Sequence, residues 1–292
     1  MPDFAVPARR ATFVDGVPPH AWFLVSAVFH YLGPSFAVLL FAHVGVLGVA
    51  WLRIASAAAV FAIWRRPWRL LPNASGGTIL LLVALGACLA AMNSVFYVAI
   101  SRLPLSLVAA IEFVGTIAVA LVGLRSTRNL AALALAVGGV FLLTDVRWVS
   151  DPAGLAFAVL NGLLFVLYIV LGHRSARVGA GSSIDRLGLA MLLAFVFVIP
   201  IGSGQVLAAF ASPQLLLAGI GVGLCSSVIP YVCDQLAMAR LPRATFALML
   251  ALLPATATLI GAIVLAQIPT ARDLSGMALV MTGVGLHQPR RD

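Results

Sequence analysis

Glu112 is the only glutamate among 292 residues. It lies inside Pro104-Leu-Ser-Leu-Val-Ala-Ala-Ile-Glu112-Phe-Val-Gly-Thr-Ile-Ala-Val-Ala-Leu-Val-Gly123, an apolar run long enough to cross a bilayer. A charged group at membrane depth costs roughly 2.5–3.5 kcal/mol on insertion scales, so a carboxyl kept there is first read as functional. It can hold a proton in one state and pair with an ammonium group in another. The competing reading is a permanently protonated acid that only hydrogen-bonds between helices. Gly115 and Thr116 follow at i+3 and i+4, on the same helical face, and leave room beside the carboxyl.

Other polar residues interrupt apolar runs in the same way. Arg53 stands roughly 10 Å inside its run at 1.5 Å per helical residue. It has three readings: a bidentate grip on a carboxylate, neutralisation of Glu112, or snorkelling to headgroups. Asn93 and Tyr97 are four residues apart and lie together, as ligand contacts or as glue between helices. Ser26, His30 and Pro34 share a face, where Pro34 removes a backbone hydrogen bond. His30 reads either as a titrating group or as a histidine packed and satisfied between helices. Tyr231, Asp234 and Gln235 follow Pro230 near the end of a run. Asp234 precedes Arg240 by six residues, so an interfacial ion pair competes there with a transport role. Asn161 and Tyr168, seven apart, read as packing and hydrogen-bonding residues.

These side chains need elements to position them, and composition names the kind. With 62% hydrophobic and 9% charged residues and a mean hydropathy of +1.11, the chain is expected to be an all-α polytopic membrane protein. Ten apolar runs are predicted to span: 22–42, 46–64, 78–98, 104–123, 129–145, 153–171, 187–203, 214–239, 244–265 and 273–287. The fifth, seventh and tenth are short. Residues 1–21 contain Asp3, Asp15 and four prolines and no apolar h-region, which predicts that the first span, and not a cleaved leader, targets the chain. Cys88, Cys225 and Cys233 fall within spans as small apolar groups, so no disulfide, metal site or cofactor is expected.

All 18 basic residues are arginines. All but Arg53, Arg102, Arg147 and Arg272 occupy one alternate set of connecting segments, and the positive-inside rule makes that set cytoplasmic. Both termini then lie in the cytoplasm, as an even number of spans requires. The formal charge of +9 is a topology signal and not a nucleic-acid patch, because the arginines are scattered through short loops. Trp22, Trp64, Trp68 and Trp148 fit interfacial anchoring.

Ala99-Ile-Ser-Arg-Leu-Pro104 returns in the second half as Ala237-Met-Ala-Arg-Leu-Pro242, each just before a span. The same offset sets Thr116 against Pro254. A duplicated unit of five spans inserts in opposite orientations, which predicts two inverted five-helix repeats with a substrate site near the midplane where they meet. The expected division is a cytoplasmic segment at 1–21, repeats at 22–145 and 153–287, and a tail at 288–292. Gly219 and Gly223 have the GxxxG spacing that permits close helix contact.

Trp51-Leu-Arg53 with Arg66-Pro-Trp-Arg-Leu70, Met92-Asn-Ser-Val-Phe-Tyr97, Ala110-Ile-Glu-Phe-Val-Gly115 with Ala118-Val-Ala-Leu121, and Ile229-Pro-Tyr231 leading to Arg240-Leu-Pro242 cover most of the chain. In them the chain resembles the ten-span drug/metabolite transporter superfamily, EamA type, and most closely its threonine/homoserine exporter branch. The resemblance implies a bacterial inner-membrane exporter of small amino acids or related metabolites with a central cavity between the halves. Three places depart from the family pattern. Leu253-Pro254 and Ala266-Gln267 stand where members commonly carry Glu before the ninth-span proline and Gly-Glu at its end, and Thr116 stands where proline is usual. These losses leave Glu112 as the one deep acidic site expected.

No HExxH, Gly-x-Ser-x-Gly, P-loop or pair of intramembrane aspartates occurs, so neither enzymatic chemistry nor intrinsic ATP hydrolysis is expected. Gly202-Ser-Gly204 reads as a turn in a loop. The expectation is therefore a secondary transporter working by alternating access, with a small-molecule substrate, the bilayer as its other partner and proton coupling through Glu112. Its expected substrate-binding or coupling residues are Glu112, Arg53, Asn93, Tyr97, Thr116, His30, Tyr231, Asp234 and Gln235. Broader drug, metabolite or nucleotide-sugar transport is the alternative within transporters, and a non-transporting scaffold or sensor is the alternative outside them.

Overall fold

Proline and small hydroxylic or acidic side chains mark where the helices start. A computed structural model describes residues 16–103, 105, 108, 109, 111–113, 126–143, 151–177, 182–265 and 270–286. Pro19 opens α1 (Pro19–Val44) in the first turn, where its missing N–H costs nothing. Gly45, at φ 78°, ends α1 in a conformation that other side chains resist, and α2 (Val46–Arg65) starts at once. Arg66 stops α2 at φ 49°, ahead of a 3-10 segment over Pro67–Asn73. Ser75 then caps α3 (Gly76–Ile100) by accepting the Thr78 N–H at 3.3 Å.

Ile111, Glu112 and Phe113 are helical, and α4 is Thr127–Leu143. Asp151 accepts the Gly154 N–H at 2.9 Å where α5 (Pro152–Arg177) begins, and Ser182 caps α6 (Ser183–Phe210) through the Ile184 N–H at 3.2 Å. Pro213 opens α7 (Pro213–Gly223), which passes through a π-helical turn at Leu224–Val228 into α8 (Ile229–Met238). The remaining helices are α9 (Arg243–Met249), α10 (Leu252–Leu265) and α11 (Ala271–Leu286).

Among the described residues, six stretches are long and apolar enough to cross a membrane: α1, α2, α3, α5, α6 and the continuous α7–α8 rod Pro213–Met238. Shorter apolar helices lie at Thr127–Leu142, Thr245–Ile260 and Leu274–Leu286. The protein is an all-helical polytopic membrane protein, with no strand among the described residues.

Several expectations need correction. The seventh span is not short: α6 has 28 residues and carries Gly202-Ser-Gly204 inside the helix. Turn-forming residues are overridden there by a close approach, because a Cβ on Gly202 would stand 2.5 Å from the Leu47 carbonyl oxygen. The ninth span is divided at Leu250 and Ala251. Pro254 has no N–H for the carbonyl four residues back, at Leu250, so the helix loses a bond at that point. The 104–123 run lies largely outside the described residues, as do Gly115, Thr116 and Gln267.

α2 packs along α6, α3 lies against both α5 and α6, α4 pairs with α11, and α1 meets α8 and α10. The GxxxG pair on α7 does bring backbones together: Gly219 faces Leu52, and a Cβ on Gly223 would stand 2.9 Å from the Arg53 carbonyl oxygen. Arginine-bearing helix ends gather at one end of the bundle. Arg65 Nε donates to Asp185 Oδ1 at 2.6 Å, Arg177 donates to the Leu241 carbonyl, and Arg240 donates to the Val17 carbonyl. At the opposite end Arg102 pairs with Asp151 at 3.2 Å, and Gln205 accepts from the Leu47 and Gly48 amides.

Candidate functional site

The helices converge on a narrow cavity, to which α1 brings His30 and Pro34, α2 Arg53, α3 Asn93, α5 Asn161 and α8 Tyr231, with Glu112 from its own helical segment. Sites for small molecules combine an apolar lining with a few placed polar groups. Met92, Phe96 and Phe165 supply the apolar part here. The His30 ring faces the rings of Phe165 and Tyr31, both with centroids 6.1 Å away.

Arg53 is only 4% exposed, so it does not snorkel. Its Nε donates to Ser227 Oγ at 2.8 Å, and its Nη2 donates to the Ser226 carbonyl at 2.7 Å and to the Tyr231 hydroxyl at 3.4 Å. The guanidinium lies over the rings of Tyr97 and Tyr231, 5.3 and 5.9 Å from their centroids. Neutral acceptors and aromatic faces hold the cation. Arg53 and Glu112 line the same cavity without forming an ion pair within 4.0 Å.

Glu112 is buried and accepts from Asn161 Nδ2 through Oε1. An amide nitrogen only donates, which keeps this carboxyl oxygen an acceptor. Asn161 Oδ1 is itself buried with no hydrogen bond. Glu112 and Asn161 both line the cavity, so the carboxyl and an unsatisfied amide oxygen belong to one bonded pair of its residues. Asn93 links two helices: it accepts from the Tyr231 hydroxyl at 3.1 Å and donates to the Leu89 carbonyl at 2.7 Å. It is therefore both glue and cavity wall.

Tyr97 is fully buried beneath Arg53 and is not part of the wall. The Tyr231, Asp234, Gln235 group separates. Tyr231 faces the cavity and Asp234 lies behind it, only 2% exposed. Gln235 is buried towards Gly172 on α5. Asp234 makes no ion pair with Arg240. It accepts from Ser26 Oγ at 2.5 Å and from the Tyr168 hydroxyl at 3.2 Å, while Arg240 turns to the Leu236 and Val17 carbonyls. Glu112 is consequently not the one deep acidic group, since a second carboxyl is buried one layer away.

Sequence reasoning did not pick out Ser226 and Ser227, nor the contact of Asn161 with Glu112. A signal for Ser226 was present. Pro230 stands four residues later without an N–H, so the Ser226 carbonyl has no α-helical partner and is open to Arg53. The π-helical turn at the same place is a further sign, because such turns concentrate at functional sites.

The protein has known relatives. Residues 152–287 match the EamA-like transporter family. The chain is 32% identical over 253 residues to the threonine/homoserine exporter RhtA of Escherichia coli (strain K12), covering 85% of this chain and 84% of that one. The RhtA of Salmonella typhimurium (strain LT2) matches with the same identity and coverage. One solved crystal structure shares the fold with a TM-score of 0.66 at 15% identity, over 91% of this chain and 96% of the other. These relatives are transporters and not enzymes. A small-molecule exporter is what a family of this kind, an apolar multi-helix bundle and a polar central cavity have in common, and the chain belongs to the EamA-like transporters of the drug/metabolite transporter superfamily.

Proposed function

We propose that this protein exports small amino acids of the threonine and homoserine type, or closely related metabolites, by alternating access between two inverted five-helix halves. Export is coupled to proton entry at Glu112. The arginine-rich end of the bundle faces the cytoplasm of a bacterial inner membrane, following the positive-inside rule.

The observation that carries this reading is the pairing of opposite charges across one small cavity: Arg53 on α2 and Glu112, which share the wall but do not touch. In this reading a zwitterionic substrate turns its carboxylate towards the guanidinium and its ammonium towards Glu112 and Asn161 Oδ1. Asn93 and the Tyr231 hydroxyl supply neutral polar contacts for a short hydroxylated side chain. A proton on Glu112 displaces the ammonium, and loss of that proton on the cytoplasmic side readmits the next substrate. The relatives named as threonine/homoserine exporters support the same substrate class.

The test is counterflow of labelled threonine and homoserine in proteoliposomes, with and without an imposed pH gradient. Saturable exchange that the gradient drives is expected, and Glu112→Gln is expected to abolish it while expression and membrane insertion stay normal. Full activity in Glu112→Gln would refute the role of the carboxyl. Absence of exchange in folded wild-type protein would refute the substrate class and direct the search to a wider metabolite panel.

A further inference from the structure

Asp234 has no part in the substrate cavity, yet the protein keeps it buried. Its partners are unusual for a buried carboxyl. Ser26 Oγ from α1 and the Tyr168 hydroxyl from α5 occupy its two oxygens, and no arginine or histidine among the described residues comes within 4.0 Å. The titratable groups around it are these: Tyr168 on α5, with Cys88 of α3 beside that tyrosine, and Tyr231 and Cys233 on α8 itself. His30 on α1 faces the cavity. At the arginine-rich end, His173 engages the Leu241 carbonyl, Arg186 of α6 bonds the Ser175 and Ala176 carbonyls, and Arg243 opens α9. None of these cations pairs with Asp234.

A hydroxyl can donate or accept, which a guanidinium cannot. The two hydroxyls can therefore both donate to an ionised Asp234. When Asp234 carries a proton, one of them can instead accept its O–H. The cradle suits both protonation states, whereas an arginine partner would hold the group in one. Burying the ionised form without a cation is costly, so a carboxyl placed in this way serves best if its charge comes and goes.

Asp234 also lies on a polar line. On the cavity side, the Tyr168 and Tyr231 rings pack with centroids 5.4 Å apart, and Tyr231 bonds Asn93 in the wall. On the other side, Gln235 is fully buried with neither Oε1 nor Nε2 hydrogen-bonded, and the Ser175 hydroxyl on α5 is likewise buried and unpartnered. Buried polar atoms without protein partners are positions that internal water serves. The line runs towards the end where His173 and Arg177 meet the Leu241 carbonyl.

We propose that Asp234 is a second proton-binding site, separate from the substrate carboxyl, through which the proton held by Glu112 leaves for the arginine-rich end. This rests on the reading of Glu112 as the coupling group. In the step, the O–H bond of Glu112 breaks and its carboxylate takes the substrate ammonium. The proton passes along hydroxyls and cavity water, and an O–H bond forms on Asp234. That bond then breaks in turn as the proton reaches bulk water. Substrate and proton thereby occupy different carboxyls at the moment of exchange.

Two measurements test this. In proteoliposomes, Asp234→Asn is expected to lower the ratio of gradient-driven accumulation to counterflow about tenfold, whereas Glu112→Gln removes both. A wild-type ratio in Asp234→Asn, or an equal loss of both activities, would overturn the proposal. If Asp234→Asn does not fold, the double change Ser26→Ala with Tyr168→Phe keeps the carboxyl, removes its cradle and is expected to lower the same ratio. The second measurement needs no amino-acid substrate: infrared titration of the reconstituted protein. A carboxylic C=O band that is missing in Asp234→Asn should appear and vanish reversibly with pH. A band fixed across the range in which the protein stays folded, or no difference between the two proteins at any pH, would overturn the proposal even if threonine and homoserine prove to be the wrong substrates.

Discussion

The Arg53 guanidinium donates to the Ser226 carbonyl at 2.7 Å, and Ser226 stands four residues before Pro230. Proline cannot supply the N–H that would otherwise occupy that carbonyl. The helix break is thus what gives a buried cation a strong neutral acceptor, and with Ser227 and two aromatic faces it holds Arg53 without using up its charge on a carboxylate. A lysine ammonium is a compact point charge and lacks the planar fork with which Arg53 reaches both serines and lies over the two rings. Arg53→Lys is therefore expected to weaken substrate binding by roughly 2 kcal/mol or more, about 30-fold or more in half-saturating concentration. Counterflow titration measures this, and an unchanged half-saturation would show that the guanidinium is only a packing element.

Asn161 is expected to act on binding rather than on turnover. Its Nδ2 donates to Glu112, and its Oδ1 is the unsatisfied acceptor beside the cavity. Asn161→Ala removes both and leaves a buried carboxyl oxygen without its donor, a loss of about 1–3 kcal/mol. The half-saturating substrate concentration should rise while the maximal exchange rate changes little. A fall in the maximal rate alone would place Asn161 in the conformational step.

Much of this site could be read from one-letter code, and the reasons differ by residue. Glu112, Asn93, His30 and Tyr231 interrupt apolar runs, and isolated polar groups in such runs face inward because lipid offers them no partner. Their meeting at one cavity follows. Asp234 was harder, because Arg240 six residues on gives a surface carboxyl an obvious partner, and only tertiary packing sends Arg240 to the Val17 carbonyl and Asp234 to Ser26. The Ser226 and Ser227 side chains gave no signal, because serine is tolerated in apolar helices; the readable sign lay in Pro230, which frees the Ser226 backbone oxygen. The fold was legible at the level of helices. The breaks within them were set by Pro254 and by contacts across the bundle.

Gly202 and Gly204 are two residues apart on α6 and should respond with opposite sign. A Cβ on Gly202 would stand 2.5 Å from the Leu47 carbonyl oxygen and 2.7 Å from Trp51 Cβ, while nothing lies within 4 Å of one on Gly204. Gly202→Ala should destabilise by about 1–3 kcal/mol, as overpacking does. Gly204→Ala should stabilise by about 0.5–1 kcal/mol, the usual gain over a mid-helix glycine. Thermal unfolding of the detergent-solubilised variants decides. If both change in the same direction, the α2–α6 contact is not as close as the backbone places it.

Asp151 gives a pH dependence at the end of the bundle opposite the arginine-rich one. Its carboxylate accepts the Gly154 N–H at 2.9 Å and the Arg102 Nη1–H at 3.2 Å. The backbone bond, more than the arginine, holds its pKa below the ordinary 3.8. A depressed folded-state value means that the stabilisation is present in full above the ordinary value and is lost as pH falls through the folded one. Asp151→Asn should therefore lower the melting temperature at neutral pH, and the gap to wild type should close only below about pH 4, within the carboxylate range. Arg102→Ala should move the melting temperature less, because its ion pair is solvent-exposed and the helix start keeps its backbone bond. An Arg102→Ala effect equal to that of Asp151→Asn would mean that the ion pair, and not the cap of α5, orders this connection.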